Sequence, residues 1–315
     1  MPRQDDEKFS NRLETAAKAR AEMLAKVKAR AEAAKATADE RAGLVDTCGT
    51  GGDGMGTFNI STGAALVAAA AGAKVAKHGN RGVTSKCGSA DVLEAMGVPV
   101  ALTPEQSAGC LRATGFTFLY APALHPAMKR VQPVRRALGF RTIFNLAGPL
   151  TNPAGAPAQV MGVYAPHKLE TVAGAMAQLG VRFGRVVHAR NGIDEIALSA
   201  TDTIVVLGPD RIVLDGMAAA LVHPEDAGLR HAPLGHLSGG ETPQGNAALL
   251  EAILIGDLTG PKRDVVLLNA AAALEAAGLA HDLREGVTRA AHAIDSGAAR
   301  KILQALRDFG ASCLR

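Results

Sequence analysis

The chain of 315 residues is long enough for one large domain or two domains of ordinary size. Apolar residues make up 48 % of it and aromatic residues only 3 %, with no Trp, which is typical of an alanine- and glycine-rich α/β protein. The formal net charge of +4 is small for this length, so it suits an anionic substrate and does not indicate a nucleic-acid-binding protein.

The cellular compartment is predicted from the cysteines and the apolar runs. The four cysteines are scattered, without a C-x-x-C pair or a metal-binding spacing. The first residues contain no apolar region of a signal peptide, and no apolar run approaches the roughly 18 residues of a membrane span. We therefore expect a cytoplasmic protein with reduced thiols and no membrane partner.

A helical amino-terminal segment is predicted over residues 1–43, ahead of an α/β domain over residues 44–315. Residues 5–41 contain neither glycine nor proline, and apolar side chains recur there at spacings of three and four. This pattern predicts one helix or a helical pair with a narrow apolar stripe. The stripe suits packing on the body of the protein and a subunit contact equally well.

A glycine-rich stretch follows the first predicted strand, which contains residues 44–45. Five glycines lie within residues 49–56, and a helix is predicted over residues 63–71. Glycine N–H groups can approach an anion closely, and the helix that begins near Asn59 is expected to present unpaired N–H groups at its positive end. The stretch therefore predicts a phosphate-binding loop.

Two common phosphate-binding motifs do not describe this stretch. The lysine that a Walker motif requires is missing after Gly56. The glycine spacing does match the dinucleotide fingerprint, but that fingerprint needs an acidic residue near the end of the next strand. The strand predicted over residues 73–76 is followed instead by Lys77 and His78, which suit further phosphate and make a nicotinamide-dependent dehydrogenase improbable.

Residues 74–91 contain a second loop that is rich in cations and hydroxyl groups. Its polar side chains are Lys77, His78, Asn80, Arg81, Ser85, Lys86 and Ser89. Because ligands bind at the carboxyl ends of strands in open α/β sheets, this loop is predicted to be a second anion-binding loop beside the first. A helix is predicted over residues 91–97.

The rest of the chain alternates between predicted strands and helices, which predicts a mostly parallel sheet flanked by helices on both faces. A helix at 104–115 and a strand at 116–120 are followed by a basic segment at 125–136. Further strands are predicted at 160–164, 185–188, 203–207 and 265–268, and further helices at 168–179, 247–255, 270–277, 283–296 and 298–309.

Two adjacent carboxylates, Asp194 and Glu195, follow the strand predicted at 185–188. Adjacent acids on a loop are usually solvated, but carboxylate oxygens are also ligands that Mg²⁺ prefers alongside substrate phosphates. Beside two anion-binding loops, this pair predicts a magnesium site.

Taken together, these motifs resemble the anthranilate phosphoribosyltransferase family over about residues 45–306. The motifs that carry the resemblance are Asp53 with its glycines, Asn59-Ile60-Ser61-Thr62, Lys77-His78-Gly79-Asn80-Arg81, Gly88-Ser89-Ala90-Asp91, Arg141-Thr142-Ile143-Phe144-Asn145-Leu146, Gly148-Pro149-Leu150-Thr151-Asn152-Pro153 and Asp194-Glu195. The resemblance implies a homodimer with a small all-helical amino-terminal domain. It further implies transfer of a phosphoribosyl group from 5-phosphoribosyl-1-pyrophosphate (PRPP) to anthranilate, with two Mg²⁺ ions per protomer.

The resemblance also implies roles for individual residues, and none of them is an acid or base catalyst. The donor PRPP would be bound by Gly49, Gly52, Asp53, Thr57, Asn59, Ile60, Ser61, Thr62, Lys77, His78, Gly79, Asn80, Arg81, Ser85 and Ser89. Anthranilate would be bound by Gly49, Asn80 and Arg135, and Mg²⁺ by Ser61, Asp194 and Glu195. Arg136 is the rival of Arg135 for the anthranilate carboxylate.

Alternative functions remain open at this point. A nucleoside phosphorylase would share the fold but use free phosphate. A non-enzymatic, nucleic-acid-binding relative is disfavoured by the retained acids and the small net charge. Residues 1–43 are shorter than the family's usual helical segment and do not align with it, so we expect them to pack near residues 125–150 and to form a weaker or rearranged dimer, or to leave the core less active.

Overall fold

The computed structural model describes residues 41–82, 86–125, 131, 134, 137, 142–206, 212–213 and 220–313. The predicted helices within residues 1–40, their packing near residues 125–150 and the predicted division into domains lie wholly or partly outside these ranges. They therefore stay predictions.

One sheet of eight strands forms the centre of the described chain. The strands are β1 (Leu44–Gly49), β2 (Lys74–Gly79), β3 (Phe116–Tyr120), β4 (Ala158–Gly162), β5 (Phe183–Ala189), β6 (Thr201–Val206), β7 (Ile212–Val213) and β8 (Ala220–Val222). Their order is β3-β2-β1-β4-β5-β6-β7, with β8 paired to β6. The first five strands are mutually parallel, whereas β6, β7 and β8 pair in antiparallel fashion. The predicted mostly parallel sheet is confirmed.

Helices and short 3₁₀ turns connect and cover the strands. The helices are α1 (Ile60–Ala70), α2 (Ser89–Ala95), α3 (Pro104–Thr114), α4 (Ala121–Leu124), α5 (Ile143–Ala147), α6 (Leu169–Gln178), α7 (Pro243–Leu254), α8 (Pro261–Ala276), α9 (Leu283–Asp295) and α10 (Ala298–Cys313). One core cluster joins α1, α8 and the carboxyl-terminal helices to one face of the sheet, and a second joins α6 to the other face.

The strand predicted at residues 265–268 is wrong, because these residues lie inside α8. Val265, Val266 and the two leucines after them are all 2 % exposed or less, since α8 is surrounded by α1, α9 and the sheet. A helix that is buried on all sides has no apolar periodicity, so its sequence resembles that of a buried strand.

The strand order reverses at the centre of the sheet. β1 is followed along the chain by β2 on one side, whereas β4 pairs with its other side. In open α/β sheets a crevice forms at the carboxyl ends of the strands on either side of such a reversal. Gly49 ends β1 and Gly162 ends β4, so the candidate site is expected between them.

Candidate active site

Three loops meet at this crevice. The glycine-rich loop, residues 50–59, leads from β1 into α1, and the basic loop, described at residues 80–82 and 86–88, lies between β2 and α2. The acidic loop, residues 190–196, follows β5. Each loop leaves the carboxyl end of its strand, so the polar groups predicted from three separate motifs lie on one edge of the sheet.

Glycines at the ends of β1 and β4 make room for the acidic loop. A Cβ atom at Gly162 would overlap the backbone carbonyl of Asp194, and one at Gly49 would overlap the Asp194 carboxylate. The acidic loop is therefore seated directly against the central strands. Gly49 consequently has a defined structural role, namely to admit Asp194.

Backbone N–H groups hold both carboxylates of the acidic loop. Gly51 N–H donates a hydrogen bond of 2.6 Å to Asp194 Oδ2, and Ser61 N–H donates one of 3.1 Å to Glu195 Oε1. The two acids thus join the glycine-rich loop and the first turn of α1. They are adjacent in sequence but serve different elements.

Burial and mutual repulsion disfavour the charged forms of Asp194 and Glu195. Burial raises the pKa of Asp194, and the nearby carboxylate of Asp53 raises it further. Burial also raises the pKa of Glu195, with the charge of Asp194 as the second cause. A bound divalent cation would offset this repulsion, so the donor chemistry fits Mg²⁺.

Lys77 is the buried cation of the site. Its side chain is 2 % exposed, and its Nζ donates to the Thr47 carbonyl and, over 3.3 Å, to Ser61 Oγ. Its positive charge lowers the pKa of Glu195 against the larger effects of burial and Asp194. Lys77 therefore lies beneath the first turn of α1 rather than on an open surface.

The start of α1 differs from the expectation of unpaired N–H groups. Thr62 N–H and Gly63 N–H both donate to the Asn59 carbonyl over 3.1 Å, Ile60 N–H donates to the Phe58 carbonyl, and Ser61 N–H is taken by Glu195. That expectation is wrong, because the neighbouring Phe58 and Asn59 carbonyls accept three of these N–H groups and the distant Glu195 accepts the fourth. Ile60 itself is a core residue at 1 % exposure.

Two buried polar atoms at the start of α1 have no hydrogen-bond partner within the described part of the chain. They are Asn59 Oδ1 and Thr62 Oγ1. The Asn59 amide meanwhile donates from Nδ2 to the Cys87 carbonyl over 3.1 Å, which ties the glycine-rich loop to the basic loop. Buried polar atoms without partners are costly, so they mark a place where a ligand or water can bind.

The glycine-rich loop contains glycines with positive φ angles and pairs with a distant segment around Ser238. Gly51 and Gly52 have φ angles of +65° and +75°, which favour glycine. Thr57 forms an isolated β-bridge with Ser238, and Asp53 Oδ1 accepts a hydrogen bond of 3.2 Å from Met55 N–H. The sequence did not predict this contact with Ser238, and the only local signal for it is the glycine pair at residues 239–240.

Asp91 organises the basic loop, a role that sequence reasoning did not assign to it. Its carboxylate accepts hydrogen bonds from the N–H groups of Gly82 and Gly88, each 2.9 Å, and from Arg81 Nη1 at 3.1 Å. Arg81 also forms two hydrogen bonds with Glu94, of 2.6 and 2.7 Å. In this structure the Arg81 guanidinium is therefore engaged by acids of α2.

The remaining predicted site residues either lie at the carboxyl edge of the sheet or fall outside the residues that the structure describes. Asn80 Oδ1 accepts from Arg81 N–H over 2.7 Å, and Ser89 Oγ donates to the Asn80 carbonyl over 3.4 Å. Gly79 leaves room for Ser89, because a Cβ there would lie 2.5 Å from its Oγ. Ser85 and Arg135 lie outside the described residues, so their predicted roles stay predictions.

His78 lies on the opposite face of β2 from Lys77, as consecutive strand residues must. Its N–H donates to buried Asp46 over 3.1 Å, and its Nε2 lies 3.1 Å from the Nε2 of His125. Burial and the neighbouring His125 lower the pKa of His78 to about 4. His78 is consequently a neutral imidazole near neutral pH.

Among the described residues, no group of three or more His, Cys, Asp or Glu side chains could hold a metal ion. None of the four cysteines forms a disulfide in the described part of the chain. No helix in the described ranges is long and apolar enough to cross a membrane.

Comparison with known proteins gives a consistent result. The family described as "Glycosyl transferase family, a/b domain" matches residues 41–300. Anthranilate phosphoribosyltransferase of Symbiobacterium thermophilum is 54 % identical over 84 % of this chain and 76 % of its own length. The Haloferax volcanii enzyme of the same name is 50 % identical over 88 % of this chain and 82 % of its own length.

Solved structures agree with the sequence relatives. The chain resembles anthranilate phosphoribosyltransferase (TrpD) from Thermus thermophilus with a TM-score of 0.78 and 47 % identity, covering 85 % of this chain and 78 % of that one. The Saccharomyces cerevisiae enzyme in complex with PRPP and Mg has a TM-score of 0.76 at 28 % identity, covering 85 % and 74 % of the respective chains.

Proposed function

The chain belongs to the family of anthranilate phosphoribosyltransferases, and we propose that its three loops hold the substrates and the metal of that reaction. The reaction transfers the 5-phosphoribosyl group of PRPP to the amine of anthranilate, releases pyrophosphate and serves tryptophan biosynthesis. One observation carries the assignment of the site: Asp194 is seated between Gly49 and Gly162, at the reversal of strand order, where the loops converge.

Mg²⁺ is assigned to Asp194 and Glu195, with Ser61 Oγ as a further ligand. Burial and the charge of a neighbouring carboxylate raise the pKa of both acids, and a bound cation would offset both effects. The positive charge of Lys77 acts in the opposite direction on Glu195. When bound, the metal supplies positive charge that neutralises pyrophosphate as it leaves. Two ions per protomer would also bring in Asp53, whose carboxylate interacts with that of Asp194.

PRPP is assigned to the glycine-rich loop, the start of α1 and the basic loop. The partnerless Asn59 Oδ1 and Thr62 Oγ1 support this placement, because a ribose hydroxyl or ordered water can satisfy them. Arg81 and Asn80 reach the donor only if the basic loop exchanges some of its internal contacts for phosphate contacts. The basic loop is therefore the part of the site expected to change on binding.

The reaction requires the protein to position the two substrates and to neutralise the charge of the leaving pyrophosphate, and it does not require a strong base. Displacement at the ribose carbon passes through a cationic, oxocarbenium-like state, and a neutral aromatic amine is already nucleophilic. The neutral His78 and the absence of a nucleophile–base pair from the motifs agree with such a reaction. Gly49, Asn80 and Arg135 are assigned to anthranilate, with the planar guanidinium of Arg135 suited to its carboxylate.

A homodimer in the cytoplasm completes the proposal. Its support is the family relationship together with the amphipathic pattern of residues 5–41. If those residues contribute the subunit contact, deleting residues 1–40 should convert a dimer into a monomer in analytical ultracentrifugation. A dimer that survives the deletion with undiminished affinity would contradict this part of the proposal.

The test of the function is a direct assay of both substrates. Loss of anthranilate fluorescence should require PRPP and Mg²⁺ together and should be matched by pyrophosphate release. Turnover of a nucleoside with free phosphate, without PRPP, would instead identify a nucleoside phosphorylase. The same preparation should show no salt-dependent binding to DNA, which excludes the nucleic-acid-binding alternative.

A further inference from the structure

A buried asparagine near the start of α7 bonds to the backbone of the segment that precedes this helix. Asn246 is 3 % exposed. Its Oδ1 accepts a hydrogen bond of 2.8 Å from Gly240 N–H, and its Nδ2 donates one of 3.3 Å to the Gly240 carbonyl. A carboxamide carries an acceptor and two donors on one planar group, so this single side chain fixes both backbone groups of Gly240.

The segment at residues 237–240 connects Asn246 to the glycine-rich loop. Gly239 N–H donates a hydrogen bond of 2.9 Å to the Gly56 carbonyl, and Phe58 N–H donates one of 3.4 Å to the Leu237 carbonyl. Gly239 lies between the asparagine and the loop, because a Cβ there would be 2.9 Å from Phe58 N and 3.0 Å from Asn246 Oδ1. The amide, the segment and the loop backbone are therefore in direct contact.

The same side chain reaches the basic loop. Burial raises the pKa of the Cys87 thiol, and a hydrogen bond with the Asn246 side chain opposes that effect. The Cys87 carbonyl in turn accepts the hydrogen bond of 3.1 Å from Asn59 Nδ2. Asn246, residues 237–240 and Cys87 thus form one continuous set of contacts that includes both loops.

A role confined to α7 does not explain these contacts. The cap of this helix is Thr242, whose Oγ1 accepts a hydrogen bond of 3.1 Å from Gly245 N–H. Burying a carboxamide is costly unless its polar atoms are bonded, and an apolar side chain would fill the same place without that cost. The polar atoms of Asn246 bond instead to residues that border the two loops.

We propose that Asn246 is a positioning residue for PRPP, which holds the glycine-rich loop and the basic loop in register through residues 237–240 and Cys87. This inference rests on the proposed function, because these are the two loops assigned to the donor. Through Cys87 the contacts also orient the Asn59 amide, whose Nδ2 is bonded while its Oδ1 has no partner within the described part of the chain. Loss of Asn246 should therefore weaken PRPP binding first, because groups that are displaced from their binding geometry contribute less.

The experiment measures steady-state kinetics and hydrogen exchange of Asn246→Ala. The KM for PRPP should rise about tenfold or more, whereas the KM for anthranilate at saturating PRPP should change much less. Without substrates, deuterium uptake should increase in residues 50–59 and 86–88 together. The matched control is Asp282→Ala, which removes the exposed cap of α9 and should lower Tm without either effect.

Two results would overturn the proposal. One is a parental KM for PRPP with only kcat lowered, as a partly unfolded preparation would give. The other is increased deuterium uptake confined to α7. If circular dichroism shows that Asn246→Ala does not fold, the same two measurements on Asn246→Asp decide the question, because that variant keeps the size and the acceptor and loses the donors. A parent that does not consume anthranilate with PRPP would refute the proposed function instead, and hydrogen exchange would still test the contacts.

Discussion

Gly162 lies directly against the backbone of Asp194, so closely that a Cβ at position 162 would overlap the Asp194 carbonyl oxygen. This contact connects the end of β4 to the loop after β5 and fixes the height of the acidic loop above the sheet. Asp194 also accepts a hydrogen bond from Gly51 N–H. A displacement of the acidic loop would therefore also displace the glycine-rich loop.

The first prediction is that Gly162→Ala raises the Mg²⁺ concentration needed for half-maximal activity and lowers kcat. The added methyl group must push Asp194 away from Gly51, and overpacking of this kind costs about 1–3 kcal/mol. The matched control is Gly174→Ala in α6, where a Cβ meets nothing within 4 Å. That variant should keep its Mg²⁺ dependence and gain up to about 1 kcal/mol of stability, and equal effects at the two sites would contradict the role of the contact.

The second prediction concerns Lys77 and Glu195. Removing the buried cation by Lys77→Met should lower the free energy of unfolding by about 1–3 kcal/mol, because the Thr47 carbonyl and Ser61 Oγ lose their donor and Glu195 loses a positive charge that lowers its pKa. Adding Glu195→Gln to Lys77→Met should restore part of that loss. Urea denaturation of the parent, both single variants and the double variant gives the coupling energy, and strictly additive losses would show that the two charges are independent.

The third prediction is a pH dependence centred on Asp91. Burial raises the pKa of this carboxyl, but the N–H groups of Gly82 and Gly88 and the charge of Arg81 outweigh burial and leave the pKa lowered. A lowered pKa means that the carboxylate stabilises the folded chain above the unfolded pKa of about 4 and that this contribution is lost as pH falls below it.

Asp91→Asn should therefore lower Tm near pH 7 by the equivalent of about 1–2 kcal/mol, because the amide can no longer accept from both N–H groups with full charge. The difference in Tm between parent and variant should shrink as pH falls towards 3. Asp257→Asn, at an exposed position, serves as the control with no such difference. A gap in Tm that stays constant over this pH range would refute the assignment.

The fourth prediction concerns the acceptor. Arg135→Ala should raise the KM for anthranilate about tenfold to a hundredfold while changing the KM for PRPP much less, because one charged hydrogen-bonding pair is worth roughly 1.5–3 kcal/mol. Arg136→Ala is the comparison at the neighbouring position. A rise in the KM for PRPP instead would assign Arg135 to the phosphate groups and make Arg136 the candidate for the carboxylate.

Local sequence patterns were sufficient for the parts of the fold and site that local chemistry determines. The glycines of residues 49–56 and the adjacent acids Asp194 and Glu195 were identifiable because a loop at a strand end has a composition of its own. Their convergence followed from the rule that parallel strands end at one edge. The arrangement of the sheet confirms that rule here.

Contacts between distant residues were not predictable in this way. Glu195 caps α1 at Ser61, which lies 134 residues away in sequence, and no local pattern near Ser61 predicts this hydrogen bond. The fit of Gly162 to Asp194 likewise depends on a register that only the folded sheet defines. The strand predicted at 265–268 was wrong because full burial removes the periodicity on which the distinction depends.

The most direct test of the account measures phosphoribosyl transfer as a function of Mg²⁺ in the parent and in the Asp194→Asn, Glu195→Gln double variant. Glu170→Gln, an exposed acid in the first turn of α6, is the control. The account predicts that the parent and the control consume anthranilate only with PRPP and Mg²⁺. The double variant should fold normally, lose most of its activity and need far more Mg²⁺. An active double variant with the Mg²⁺ dependence of the parent would contradict the assignment of the acidic loop as the metal site.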